Sequence, residues 1–140
     1  MAETLSGHTI ICGSVTMAKT VLEILVRKRT KVVVVDNNLE SLKVIRRRYP
    51  NIPVIESLAI DEMALASANV LDAKCVIAAV DSDFNNLMIA MTCKDLGSGI
   101  KVVARSDQMQ VASRLMKIDV EKVICPYQPS GEHAAQFACE

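Results

Sequence analysis

Two hydrophobic periods alternate along this chain. Short apolar runs without polar interruption are followed by stretches in which apolar residues recur every three or four positions. The first kind reads as strands covered on both faces, the second as helices with one buried face. The first run, about His8–Cys12, stops at Gly13. Helical spacing then runs from about Val15 to Lys28 and puts Met17, Ala18, Val21, Leu22 and Leu25 on one side. Lys31–Asp36 is a second strand with four consecutive valines. Asn37 or Asn38 can cap a second helix, in which Leu39, Leu42 and Ile45 are expected to face the sheet and which Tyr49-Pro50 ends. Pro53–Glu56 is a short third strand, and Asp61 caps a short helix that runs to Ala68.

Lys74–Val80 is the fourth strand, and Asp81-Ser82-Asp83 caps a fourth helix over Asp83–Leu96, closed by Gly97 and Gly99. Ile100–Arg105 is strand five. Asp107 is expected to cap a helix over Gln108–Lys117, and Val120–Cys125 is strand six. Pro126-Tyr127-Gln128-Pro129 then turns the chain into a last helix near Ser130. Six β-α units with short connections predict an α/β fold: a Rossmann-like, doubly wound parallel sheet of order 3-2-1-4-5-6. Ligands bind such sheets at the switch point between strands one and four. Gly13–Thr16, Asp36 and Ala79–Asp81 converge there.

The fourth helix departs from the amphipathic rule. Phe84, Leu87, Met88, Ile89, Ala90, Met91, Cys93 and Leu96 go nearly all the way round it. One face packs on the sheet, and the other predicts a cover from a second subunit.

The order strand, glycine turn, helix, strand, acid belongs to dinucleotide-binding units. Their helix amino terminus offers free amides to phosphate, and the acid accepts from ribose hydroxyls. Gly13, Val15 and Ala18 occupy the three positions of Gly-x-Gly-x-x-Gly/Ala, with Asp36 about 20 residues on. The first glycine is kept and Ala18 is an allowed third residue. Val15 puts a branched side chain where the backbone should approach a pyrophosphate. A βαβ unit that binds nothing is the competing reading, and Asp36 is then a plain helix-cap carboxylate.

Composition narrows the function classes. The 140 residues suit one domain, and 51% are hydrophobic, enough for a sizeable core. Formal net charge is zero and Trp is absent, which argues against a nucleic-acid partner. The basic runs Arg27-Lys28-Arg29 and Arg46-Arg47-Arg48 fall at expected helix ends, where cations suit the dipole. The cysteines Cys12, Cys75, Cys93, Cys125 and Cys139 are scattered without a Cys-x-x-Cys, which disfavours a metal or disulfide framework and fits a reducing cytosol. No secretory signal is evident, and no apolar run is long enough to span a bilayer.

Four stretches carry a family resemblance: His-Thr-Ile-Ile-Cys-Gly at 8–13, Val-Val-Val-Val-Asp at 32–36, Val-Ile-Ala-Ala-Val-Asp-Ser-Asp-Phe-Asn-Asn-Leu at 76–87, and Lys-Val-Val-Ala-Arg at 101–105 continued by Val-Ile-Cys-Pro-Tyr at 123–127. From His8 onward the chain resembles the nucleotide-binding lobe of regulator-of-potassium-conductance domains, also called Trk-type or KTN domains. The resemblance implies a cytoplasmic regulatory module at the inner face of the membrane, serving a potassium channel or transporter subunit on the same or a separate chain. It implies binding of NAD(H) or an adenine mononucleotide (AMP, ADP or ATP), with gating through oligomer rearrangement. It divides the chain into a flexible segment 1–7, the lobe 8–128, and the start of a crossover and dimerisation helix at 129–140. Homo-oligomers would form through the fourth helix (Phe84, Met88, Met91) and this last helix.

The same resemblance assigns Gly13, Ser14, Val15 and Thr16 to phosphate and Asp36 to ribose, and counts Asn37 among the binding residues. Ala79, Val80 and Asp81 become the floor, and Asn85 reaches in from the fourth helix. Arg105 meets phosphate or pairs with Asp81. Ser57-Leu58-Ala59 stands where relatives carry Gly-Asp-Ala, so Leu58 and Ala59 line the site without an acid. With Val15, this predicts a weakly bound mononucleotide, an altered ligand or an empty cleft. Ala79 and Arg105 stand where calcium-gated relatives keep acids, so no metal and no catalytic residue is assigned. The alternatives are an assembly module with a vestigial cleft, or a small NAD(P)-dependent oxidoreductase. The latter lacks room for a substrate domain and lacks Tyr-x-x-x-Lys.

Overall fold

The computed structural model describes residues 5–140; residues 1–4, most of the expected amino-terminal segment, lie outside the described residues. Leu5 packs against the core, and the Gly7 amide donates to the Asp72 carbonyl at 2.8 Å. The strands are β1 Thr9–Cys12, β2 Val32–Asp36, β3 Val54–Glu56, β4 Cys75–Ala78, β5 Val102–Arg105 and β6 Lys122–Ile124. The helices are α1 Met17–Arg27, α2 Leu39–Arg48, α3 Glu62–Ser67, α4 Asp83–Leu96, α5 Met109–Lys117 and α6 Gln128–Ala138, with a 3₁₀ turn at Val70–Asp72. The sheet is parallel throughout, in the expected order β3-β2-β1-β4-β5-β6.

Alternate residues of a strand point to opposite faces, and β1 divides itself between two cores accordingly. Ile11 and Val34 pack with Ala18, Leu22, Leu42 and Ile45 of α1 and α2. Ile10, Cys12, Val33 and Val35 pack with Leu65, Leu87, Ile89, Ala90 and Leu115 of α3, α4 and α5. Register pairs Ile10 with Val33 on one side and Val76 on the other, so β1 and β4 are neighbours. That adjacency opens the crevice at their carboxyl ends.

Four local expectations change. Thr16 has a left-handed φ of 50°, which delays α1 to Met17. Leu39 is 54% exposed while Leu42 and Ile45 are buried. Each three-residue step drifts about 60° around a helix, so a face centred on the later pair leaves Leu39 on its flank. Asp107 does not cap α5; its Oδ1 accepts from the Tyr127 and Gln128 amides at 2.9 and 3.3 Å. The last helix consequently starts at Gln128, with Pro129 in its first turn, ahead of the expected Ser130. On α4, Leu87, Ile89, Ala90 and Cys93 are buried while Phe84 and Met91 are 63% and 41% exposed. No residue of α6 is buried.

Candidate functional site

The site begins at Gly13, whose φ of +117° ordinary side chains rarely adopt. A Cβ there would meet the Ala79 carbonyl oxygen at 2.7 Å and the Ala18 Cβ at 3.0 Å. The bare backbone thus lets β1 turn tightly between β4 and α1, and Ala18 is small for the same reason. Ser14 follows, buried, with its hydroxyl donating to Asp36 Oδ2 and bonded to the Ser41 hydroxyl. The glycine turn and the β2 acid are therefore tied directly together. Asp36 Oδ1 accepts from the Asn37 amide at 2.8 Å.

These residues form one wall of a cleft of about 280 Å³ at the switch point. Of the thirteen expected site residues, Gly13, Ser14, Val15, Asp36, Asn37, Leu58, Ala59, Val80, Asp81 and Asn85 line it. Thr16, Ala79 and Arg105 do not. Ala79 is buried behind Gly13. Thr16 borders a neighbouring groove of about 310 Å³ between α1 and α2, and its hydroxyl donates to Asp81 at the rim of the cleft at 2.8 Å. Arg105 is 4% exposed and lies beneath the turn. Its Nη1 donates to Asp81 Oδ1 at 3.0 Å and to Thr16 Oγ1 at 3.3 Å, and its guanidinium stacks 5.1 Å from the Tyr127 ring centroid. Of the two expected roles for Arg105, pairing with Asp81 is the one observed.

Sequence reasoning missed Asn38, Ile60, Ser82 and Ile89, which complete the lining. It also missed Asn86. Its buried amide accepts from Val80 N and donates to Val80 O, both at 2.9 Å, and donates to Arg105 O at 3.1 Å. This clamp fixes the β4–α4 loop against the end of β5. The signal was a polar pair, Asn85-Asn86, directly before the apolar run Leu87–Met91.

The starts of α2, α3 and α4 are closed by the chain's own side chains. Asn38 Oδ1 accepts from Ser41 N, Asp61 Oδ1 from Met63 N, and Ser82 Oγ from Asn85 N. Asp83 Oδ2 serves the Asp107 and Gln108 amides before α5, and Asp107 serves α6. Among the described residues, neither Thr16 before α1 nor Gln108 before α5 makes a side-chain cap, and of these two starts only that of α1 lies at the switch-point cleft. At α1 the Ala18 amide donates to the Val15 carbonyl at 3.1 Å, and the amides of the Ser14–Met17 turn stay open beside Asp36, as an anion-binding helix start requires. Cys12, immediately before the turn, is no rival chemistry. Burial, reinforced by Cys93 and Asp36, pushes its thiol well above the usual range, and burial pushes Cys93 up to about 12. Both stay protonated and weakly nucleophilic at neutral pH.

A model of the TrkA-N domain matches residues 9–126. The chain belongs to the TrkA-N domain family. Among curated relatives, this TrkA-N domain is 28% identical over 134 residues to potassium channel protein 1 of Methanocaldococcus jannaschii, covering 96% of this chain and 40% of that protein. The chain spans between 20% and 40% of the length of the first curated relatives it matches. In fold it is similar to the TrkA-N domain of the Escherichia coli inner membrane protein ybaL, with a TM-score of 0.86, 14% identity and coverage of 96% of this chain and 98% of that one. The AMP-bound carboxyl-terminal domain of Shewanella denitrificans Kef is similar with a TM-score of 0.77 and 18% identity, over 94% of this chain and 78% of that one.

Proposed function

We propose that this TrkA-N domain is a cytosolic ligand-sensing regulatory module of a potassium channel or transporter, and that its switch-point cleft takes an adenine mononucleotide. The observation that carries the reading is the uncapped start of α1, which opens onto the switch-point cleft beside Asp36, where α2 and α4, the other helices that start at that cleft, are capped by Asn38 and Ser82. Phosphate oxygens accept from the amides of the Ser14–Met17 turn, where Arg105 beneath offsets the Asp81 carboxylate. Ribose hydroxyls donate to Asp36, in exchange for part of its bonding to Ser14 and Asn37. Leu58, Ala59 and Ile60 offer an apolar flank to the base, with Val80 and Asn85 opposite. Asn37 and Asn38 stand at the ribose side.

A volume near 280 Å³ is just below the range of ligand pockets, about 300–1,000 Å³. That size favours a mononucleotide over NAD(H). The AMP held by the Kef domain and the channel identity of the relatives support the reading. A regulatory role fits the histidines better than catalysis does. His8 is buried at the opposite end of β1 on the Ala68 carbonyl, and His133 lies on exposed α6. Copies of the chain pair through Phe84, Met88 and Met91 of α4 and through α6, the start of a crossover helix. A nucleotide that binds one arrangement of the pair better than another shifts the pore by that difference.

A thermal-shift and calorimetric panel of AMP, ADP, ATP and NAD tests this. AMP should raise Tm with concentration, as RT ln(1 + [L]/Kd) dictates. Asp36→Asn should weaken binding by about tenfold or more, the worth of one charge-assisted hydrogen bond. A flat panel at millimolar ligand would favour the vestigial assembly module.

A further inference from the structure

The 16 basic and 16 acidic residues cancel, yet they are not mixed in space. In a parallel α/β fold every crossover helix runs antiparallel to the strands. Acids favour helix starts and cations favour helix ends. Summed over such a fold, this rule charges the two edges of the sheet oppositely. Glu40, Glu62 and Asp83 occupy first turns at the cleft edge, while Arg27, Arg46, Arg47, Arg48, Lys94, Arg114 and Lys117 occupy last turns at the other.

The far edge is itself uneven. On its β4–β6 side, cations are offset by Asp72, Asp95, Asp119 and Glu121, the last 3.3 Å from Lys94. On its β2–β3 side, α1 ends in Arg27-Lys28-Arg29, α2 ends in Arg46-Arg47-Arg48, and Lys31 leads β2. All seven are exposed, and among the described residues Arg46 alone has an acidic partner, Glu56 at 3.2 Å. The two helix ends are neighbours in space. The loops that follow them together line a hollow of about 330 Å³ bordered by Leu5, Val32, Ile52 and Pro53.

We infer that this edge docks on an anionic phospholipid surface. Clustered lysine and arginine beside apolar groups is the chemistry such surfaces select. Leu5, Ile52 and Pro53 supply the apolar part, and no helix among the described residues is long and apolar enough to cross a membrane. The contact is therefore peripheral. It also fixes an orientation: the acidic cleft edge, with Asp36 and Asp81, faces away from the lipid and stays open to nucleotide. A nucleic acid is the rival polyanion, but the patch has no aromatic platform apart from Tyr49, on which Arg48 already lies at 5.3 Å.

Co-sedimentation of the chain with vesicles tests the inference without reference to the cleft. It should pellet with phosphatidylcholine–phosphatidylglycerol vesicles, not with phosphatidylcholine alone, and should release as salt rises. The triple variant R27Q/K28Q/R47Q should lose about a hundredfold in affinity, at about tenfold or less for each cation near the surface. K19Q/K43Q, on the same two helices but away from this edge, should bind as the parent does. Circular dichroism melts confirm that both variants are folded. Binding that ignores phosphatidylglycerol, or that survives the triple variant, overturns the proposal. So does a short DNA duplex that binds more tightly than the vesicles at equal salt. Neither result bears on whether AMP binds, and an empty cleft leaves the vesicle result standing.

Discussion

The starts of α1 and α4 lie on the same edge of one sheet, one strand apart, and are finished in opposite ways. At α4, Ser82 caps the helix, Asp83 reaches on to the loop before α5, and Asn86 clamps Val80 and Arg105. Asp107 continues the series to α6. Each carboxylate or amide ties one loop to the next, so this half of the edge is braced by its own side chains, although Arg105 Nε and Asp107 Oδ2 are buried there without a hydrogen-bond partner among the described residues. At α1, the Ser14 hydroxyl turns inward to Asp36 and Ser41, Thr16 turns to Asp81, and the helix start is left uncapped. Polar side chains are therefore present at both turns, and what differs is where they point. The half that is finished builds the scaffold, and the half left open is the one that can gain from a ligand.

The harshest way to break the contrast is at the turn itself. Gly13→Ala keeps every polar group and adds one methyl where the Ala79 carbonyl oxygen would be 2.7 Å away. Overpacking and a left-handed φ together should cost about 3 kcal/mol. Urea denaturation should show this as a lower midpoint, with AMP affinity lost in whatever protein remains folded. A variant as stable as the parent would mean that the turn relaxes and does not need its bare backbone.

The open half was the more legible of the two in the sequence. Gly13, Ala18 and Asp36 sit at fixed spacings along a βαβ unit, and short connections between apolar runs leave few topologies. Strand order followed from the same regularity. The closed half was misread because its bonds are not local. Asp107 stands before α5, where adjacency says cap, but its acceptor faces Tyr127 and Gln128 across the sheet edge. Arg105 had two candidate partners in sequence, and the fold supplied Asp81, Thr16 and the Tyr127 ring together. Ile89 reached the cleft from a helix whose apolar residues surround it, so no periodicity could single it out.

The mildest test compares caps directly. Ser82→Ala and Asp107→Ala each remove an acceptor that closes a helix start, and each should cost about 1 kcal/mol in urea. Thr16→Ala removes a hydroxyl that makes no cap; it donates to Asp81, 59% exposed on its side chain, and accepts from the buried Arg105 at 3.3 Å. Because Arg105 Nη1 keeps Asp81 at 3.0 Å, the loss should cost under about 0.5 kcal/mol. Saturating AMP should then add the same Tm increment to Asp107→Ala as to the parent, since Asp107 does not line the cleft and bonds to the start of α6. If Thr16→Ala proves as costly as Ser82→Ala, the α1 start is held by its own side chain after all. The amides of the Ser14–Met17 turn would then have less to gain from phosphate, and the vestigial reading of the cleft would stand on stability alone.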